Sequence, residues 1–240
     1  MGRLRITAAE VAADGADIAA LRRFYVEQLG FAPAAGSGER LAAGERLALN
    51  VGDGVLRFAA HQAPERPFHH FALLVPGDRQ PAARDWITAE VPLLTRPGQT
   101  STVFAFRDWD AEACYFHDPA GNIVELIAHH GRAESGRSGR FSAAELLGIS
   151  EVGLVVTDLS AAGERLLAAG VEMWSGSLAG ADALGFFGRQ AHTLILCAPT
   201  RPWLPTGRPA QSHAITAALQ TTAGEVEIRL RDGELRVTGP

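Results

Sequence analysis

Residues Tyr115 to Ile127 read YFHDPAGNIVELI, and this stretch decides the fold. Asp118-Pro119-Ala120-Gly121 is a tight turn: Pro119 presets φ for the first central position, and Gly121 can take positive φ. The flanks, Cys114-Tyr115-Phe116 and Ile123-Val124, read as sheet. Glu125 is then a lone carboxylate on an apolar strand. Such a group must be paired, hydrated or bound to a cation, because burying an unpaired charge is very costly.

Outward from this hairpin the chain repeats a unit of one strand, one helix and a hairpin. The first unit opens with a strand at Leu4–Val11. Its helix starts at Asp17, an N-cap, carries Ile18, Leu21, Phe24, Tyr25 and Leu29 on the apolar side, and stops at Gly30. Its hairpin, Leu47–Val51 and Val55–Ala60, turns at Asp53-Gly54. The second unit has His69–Val75, a helix over Pro81–Glu90, and strands at Ser101–Phe106, Glu112–His117 and Asn122–Ala128. The third has Ser150–Val156, a helix over Asp158–Ala169, and a hairpin of Leu184–Phe187 and Thr193–Cys197. A polar stretch, Gly131–Arg140, reads as a linker, and Pro199–Pro209 as a Pro-rich loop. The tail, His213–Leu219, Glu225–Leu230 and Glu234–Val237, looks like a fourth unit without its helix. Unit starts near residues 6, 70 and 151 with one internal order indicate a true repeat.

A single βαβββ unit cannot bury both faces of its sheet. The expected class is therefore α+β, with paired βαβββ modules forming curled mixed sheets around a cleft. The expected division is 1–132 for a domain of two modules, 133–147 for a linker, and 148–240 for a second, degenerate domain.

Composition narrows the function. The 240 residues are 47% hydrophobic and 20% charged, with a net charge of −5. This argues against nucleic acid and anionic membranes as partners. No apolar run spans a bilayer, and the N-terminal residues lack a signal-peptide core, so a cytoplasmic location is expected. Ile6 stands where N-myristoylation at Met1-Gly2 needs Ser or Thr. All 22 basic residues are arginines. Lysine Schiff bases and P-loop phosphate binding are thereby excluded.

Three quotations resemble the vicinal oxygen chelate superfamily of glyoxalase I, extradiol dioxygenases and bleomycin resistance proteins. Phe24–Phe31, FYVEQLGF, is similar to the helix end FYxxxLGF. His70–Val75, HFALLV, is similar to the histidine-led opening strand. Phe116–Leu126, FHDPAGNIVEL, is similar to the closing hairpin FxDPxGNxxEL. The resemblance implies a divalent metal (Fe, Mn, Ni, Zn or Co) in a cleft between paired modules. Its ligands come from the opening and closing strands of each module, and it binds adjacent substrate oxygens. It also allows a homodimer.

His70 and Glu125 fill two of those positions, and Glu125 doubles as the catalytic carboxylate. Aligning the closing strands on their turns puts Arg57 on the counterpart of Glu125, and a guanidinium is no metal ligand. Two readings stay open. Either His70, Glu125 and a third group such as Glu10 or His61 hold a metal, or Arg57 pairs with Glu125 in a metal-free site. Arg57, Cys114 and Trp109 are the candidate substrate-binding residues. Cys114 lies across a regular hairpin from Glu125, and Trp109 sits at a loop tip. Tyr115 and His117 then face away. His69, His129 and His130 read as strand-end or solvent-facing. Glu151 takes the histidine position of the third module, whose domain reads as structural or an interface. The expected function is metal-assisted isomerase, lyase or oxygenase chemistry on a small polar metabolite. The alternative is a metal-free, small-molecule binding protein of the bleomycin-resistance type.

Overall fold

A computed structural model describes residues 4–42, 44–62, 65–131, 133–180 and 182–239. Met1-Gly2 and the expected boundary at residue 132 lie outside the described residues. The first module comprises β1 (Arg5–Ala13), α1 (Ile18–Arg22), β2 (Arg40–Leu41), β3 (Gly44–Val51) and β4 (Gly54–Ala60). Helix α1 runs on through a wider π-helical turn, Arg23–Gln28. The second module is β5 (His70–Val75), α2 (Gln80–Thr88), β6 (Phe104–Phe106), β7 (Ala111–His117) and β8 (Ile123–His129). The third is β9 (Gly148–Val155), α3 (Leu159–Ala168), β10 (Met173–Ser177), β11 (Leu184–Arg189) and β12 (His192–Cys197). A small hairpin, β13 (Pro202–Trp203) and β14 (Arg208–Pro209), forms within the Pro-rich segment. The tail is β15 (Ile215–Gln220), β16 (Glu225–Arg231) and β17 (Glu234–Thr238), with no helix among its described residues.

The expected α+β architecture of curled mixed sheets is present. The pairing of modules does not follow the expected division at 132 and 148. Opening strand β5 pairs antiparallel with β9 of the third module, with Phe71 opposite Val152 and Ala72 opposite Glu151. Opening strand β1 pairs with β15 of the tail, with Glu10 opposite Thr216. The second and third modules thus enclose one sheet, and the first module and tail form the other. One bridged pair of β1 with β9, Ile6 opposite Ile149, makes the two continuous.

Burial explains this pairing. Every residue of β5 and β9 is buried, so both strands need cover on both faces. By contrast, β15 and β16 alternate buried and open positions, as strands with one wet face do. Strand β1 alternates over its first half, so it suits β15 better than it suits β5. One large apolar core runs under both sheets, from Ile6 and Phe58 through Phe71, Val124 and Leu154 to Ile228.

The segment expected to be a linker is tied down. Asp78 accepts hydrogen bonds from the backbone of Ser135 and Gly136. Arg79 donates to the carbonyls of Arg137 and Gly139 and pairs with buried Glu145 at 3.0 Å. These contacts carry the chain from β8 to β9 and bring β9 alongside β5. The hairpin turn is also anchored. The Asp118 carboxylate accepts from the amides of Ala120 and Asn122 and from the Tyr25 hydroxyl. Two of the quoted motifs therefore touch.

Candidate metal centre

Side chains alternate across the sheet of the second and third modules. Phe71, Leu73, Val124, Leu126, Val152 and Leu154 point into the large core. Ala72, Ile123, Ile127, Val155 and Ile195 belong to a second cluster, which fills the inside of the curl. His70, Glu125 and Glu151 fall by alternation on this inner face. One ligand atom from each of these three buried residues lies within 4.8 Å of the others.

The geometry orients the histidine. A carbonyl can only accept, so the 3.0 Å contact of His70 Nδ1 with the Ile123 carbonyl makes Nδ1 the donor. The lone pair then sits on Nε2, 3.6 Å from the Glu125 carboxylate. A carbonyl behind a histidine ring is the usual support for a metal-binding imidazole. On β9 a bulge places Ser150 as an extra residue between the pairs Ala72–Glu151 and Leu73–Ile149. It keeps Glu151 on the inner face while Ile149 remains in the core.

Burial dominates the electrostatics of the three groups. Burial, then the charge of Glu151, pushes the Glu125 carboxyl well above the usual carboxylate range, while a Tyr115 hydrogen bond opposes this. Burial lifts Glu151 to about 8. Burial lowers His70 to about 4, against the pull of the Ile123 carbonyl. Burial thus disfavours the charged form of both partners of the 3.6 Å His70–Glu125 contact. Among the described residues no arginine pairs with either carboxylate. One imidazole and two carboxylates fit Fe, Mn, Zn, Ni or Co, and a divalent ion would supply the charge the two acids lack.

Several expected site residues lie elsewhere. Tyr115, not Cys114, stands opposite Glu125. The loop runs over five residues, with the Asp118 amide bonded to the Asn122 carbonyl, and His117 pairs with Ile123. This shifts the register by one residue and turns Cys114 to the other face. There burial pushes its thiol up to about 12. Arg57 lies on β4, beside Glu10 of β1 and Ala48 of β3, in the other sheet. It makes no ion pair with Glu125 among the described residues. Glu10 is bound instead to Arg46 at 2.9 Å. His61 is exposed. The third member of the cluster is thus Glu151.

Trp109 reaches across the mouth of the curl. Its ring lies 5.0 Å from Trp174 and 4.7 Å from Phe186 of the third module. Two histidines expected at the surface are buried. His69 bonds the Ala12 carbonyl at 2.9 Å, and His129 lies 3.0 Å from the Gln190 amide nitrogen. Trp203 escaped the sequence reading. It is buried on the inner cluster, with its ring 5.0 Å from that of His70.

Parallel pairing within each module shows which positions correspond. In the second module His70 pairs with Ile123 and Ala72 with Glu125. In the third, Glu151 pairs with Thr193 and Gly153 with Ile195. With Glu151 in the opening-strand position that His70 holds, as aligning the opening strands has it, Ile195 takes the place of Glu125.

No protein-family model matches the chain, and no curated protein matches it. Among solved structures it is similar to glyoxalase I from Zea mays, at 13% identity and a TM-score of 0.55. That likeness covers 98% of this chain and 92% of that one. It is also similar to a protein titled "putative dioxygenase" from Bacillus subtilis subsp. subtilis str. 168. Identity there is 13%, the TM-score 0.56, and coverage 91% of this chain and 82% of that one. At such identity the likeness shows the fold, and it extends through the tail. No helix among the described residues is long and apolar enough to cross a membrane.

Proposed function

We propose that this chain, which has the vicinal oxygen chelate fold, uses His70, Glu125 and Glu151 to hold a divalent metal. The reading includes binding a small molecule through two adjacent oxygens. The observation that carries it is the meeting of these three buried side chains within 4.8 Å, with no arginine on either acid among the described residues. When bound, the metal would supply Lewis-acid stabilisation of charge on a substrate oxygen.

The remaining work falls to the chain itself. The Ile123 carbonyl fixes the His70 ring with Nε2 facing inward. Tyr115 stands directly across the hairpin from Glu125 and flanks that carboxylate. Ile195, where the internal symmetry puts a second carboxylate, leaves that side apolar. Phe104, Tyr115 and Trp203 around it exclude water. An isomerase, lyase or oxygenase reaction is compatible with this arrangement. The fold hosts many chemistries, so the reaction class belongs to this proposal and not to the fold.

A second reading has one observation in its favour. With both acids raised by burial, the cluster can remain neutral without an ion. The chain would then be a metal-free small-molecule binding protein.

Metal analysis separates the two. The protein, purified without chelator and then titrated with Mn²⁺, Ni²⁺, Zn²⁺ and Fe²⁺, is expected to bind about one ion per chain. The His70→Ala variant should bind none. Equal binding by both proteins, or none by either, overturns the metal reading.

A further inference from the structure

His70, Glu125 and Glu151 are buried, and the segment between β12 and β15 lies against His70 through Trp203. That segment folds into its own two-stranded hairpin, separate from the main sheet. It is closed internally by bonds from Thr200 to Ala210, Ala210 to Arg201, and Gly207 to Trp203. Trp203 is driven down against His70 and β9. A Cβ on Gly153 would lie 2.8 Å from Trp203 Cη2 and 3.1 Å from the His70 carbonyl, so the ring occupies the space a side chain there would take. Arg208 clamps the outer strand. Its guanidinium lies 3.3 Å from the centre of the Phe68 ring, and it donates to the Gly121 carbonyl at 3.2 Å.

Such an element differs in kind from the strands beneath it. It adds no rung to the main ladder, and its attachment is one buried indole, a few apolar contacts and one arginine. Units of this sort open with a smaller free energy than the whole fold.

We propose that the hairpin spanning residues 199–210 is a gate over the His70–Glu125–Glu151 cluster, with Trp203 as its plug and Arg208 as its latch. The gate rests on the metal reading only for what passes through it. Ions and substrate enter and leave when the hairpin lifts, and the fold beneath stays intact. The indole of Trp203 then vacates a flat, apolar slot next to the cluster.

The chain contains its own reporters. Cys197 ends β12 on the inner face, in one cluster with Trp203 and Ala210. Cys114 faces the large core on the other side of the sheet. Burial pushes both thiols to about 12, so their rates of modification compare access and not acidity. The test is labelling of the native protein with 5,5′-dithiobis(2-nitrobenzoate), each site followed by peptide mass. Each thiolate forms a mixed disulfide and releases one thionitrobenzoate.

Cys197 should react at least about tenfold faster than Cys114, whose rate reports global opening. Arg208→Ala should speed Cys197 further by about tenfold and leave Cys114 unchanged. Equal rates at the two cysteines in the native protein would overturn the gate. So would a Cys197 rate indifferent to Arg208→Ala. Mn²⁺ uptake gives a separate readout. Absence of binding defeats the metal reading while the labelling result still decides the gate. Binding at an unchanged rate in Arg208→Ala defeats the gate alone.

Discussion

Glu125 and Glu151 approach one point from two modules. Glu125 stands on the closing strand of the second, and Glu151 on the opening strand of the third, opposite Ala72. Two buried acids this close cannot both be charged without a cation. The arrangement makes the metal reading testable residue by residue.

Glu151→Gln should weaken Mn²⁺ or Ni²⁺ binding at least about tenfold, the usual scale for losing a ligand or its support. Glu10→Gln and His61→Ala should leave it unchanged, because both residues lie outside the cluster. Ion-induced shifts in melting temperature measure all three. Loss of binding in Glu10→Gln but not in Glu151→Gln would refute the assignment.

The metal-free protein should become less stable as pH rises from 6.5 toward 8, where the titration of Glu151 is no longer offset by that of His70. The folded-state value of Glu151 is raised from 4.5 to about 8. Folding therefore favours the protonated acid. Its stabilising contribution is complete below the unfolded value and is lost as pH climbs through the folded one. The histidine works the other way. His70 is lowered from 6.5 to about 4, so its contribution is present above 6.5 and fades as pH falls toward 4. Melting temperature against pH should show a maximum between these limbs, and Glu151→Gln should flatten the alkaline one. A bound divalent ion displaces the protons, so metal-induced stabilisation should grow from pH 6 to pH 8. An ion effect that shrinks over that range would contradict this.

Ile195→Glu places a carboxylate on the counterpart of Glu125. Without metal it adds another buried acid and should lower the melting temperature. With Mn²⁺ or Ni²⁺ it should give a larger upward shift than the native chain shows. If the ion shift does not grow, the internal symmetry does not define the coordination positions.

Tyr25→Phe tests the link between helix and hairpin turn. It removes the 3.0 Å bond to Asp118, a buried carboxyl raised to about 6 by burial. The cost should be about 1–2 kcal/mol, the range for a buried hydrogen bond to a partly satisfied acceptor. Asn122 still donates to the same oxygen at 2.8 Å, which keeps the loss moderate. Chemical denaturation measures it, and a neutral result would mean the bond carries no net stability.

Local sequence determined the modules. The strand–helix–hairpin order, the stop at Gly30 and a tight turn beginning at Asp118 follow from turn chemistry and periodicity over short stretches. His70 and Glu125 were legible because each sits inside a module whose own register places it. Even there one residue mattered. A four-residue turn was expected, the loop uses five, and Tyr115 replaced Cys114 opposite Glu125.

Which modules pair is not a local property. Four similar opening strands can pair in more than one way, and sequence adjacency favours the first with the second. The choice is made by what each sheet face must cover, and β5 and β9 are buried on both faces while β15 and β16 are not. That choice carried Arg57 away from Glu125 and brought Glu151 in. It also set Trp203 over the cluster, since the hairpin that bears it rests on the curl formed by the second and third modules. YFHDPAGNIVELI determined the fold and the place of Glu125 within its module. The company that carboxylate keeps was decided only when the two buried strands found each other.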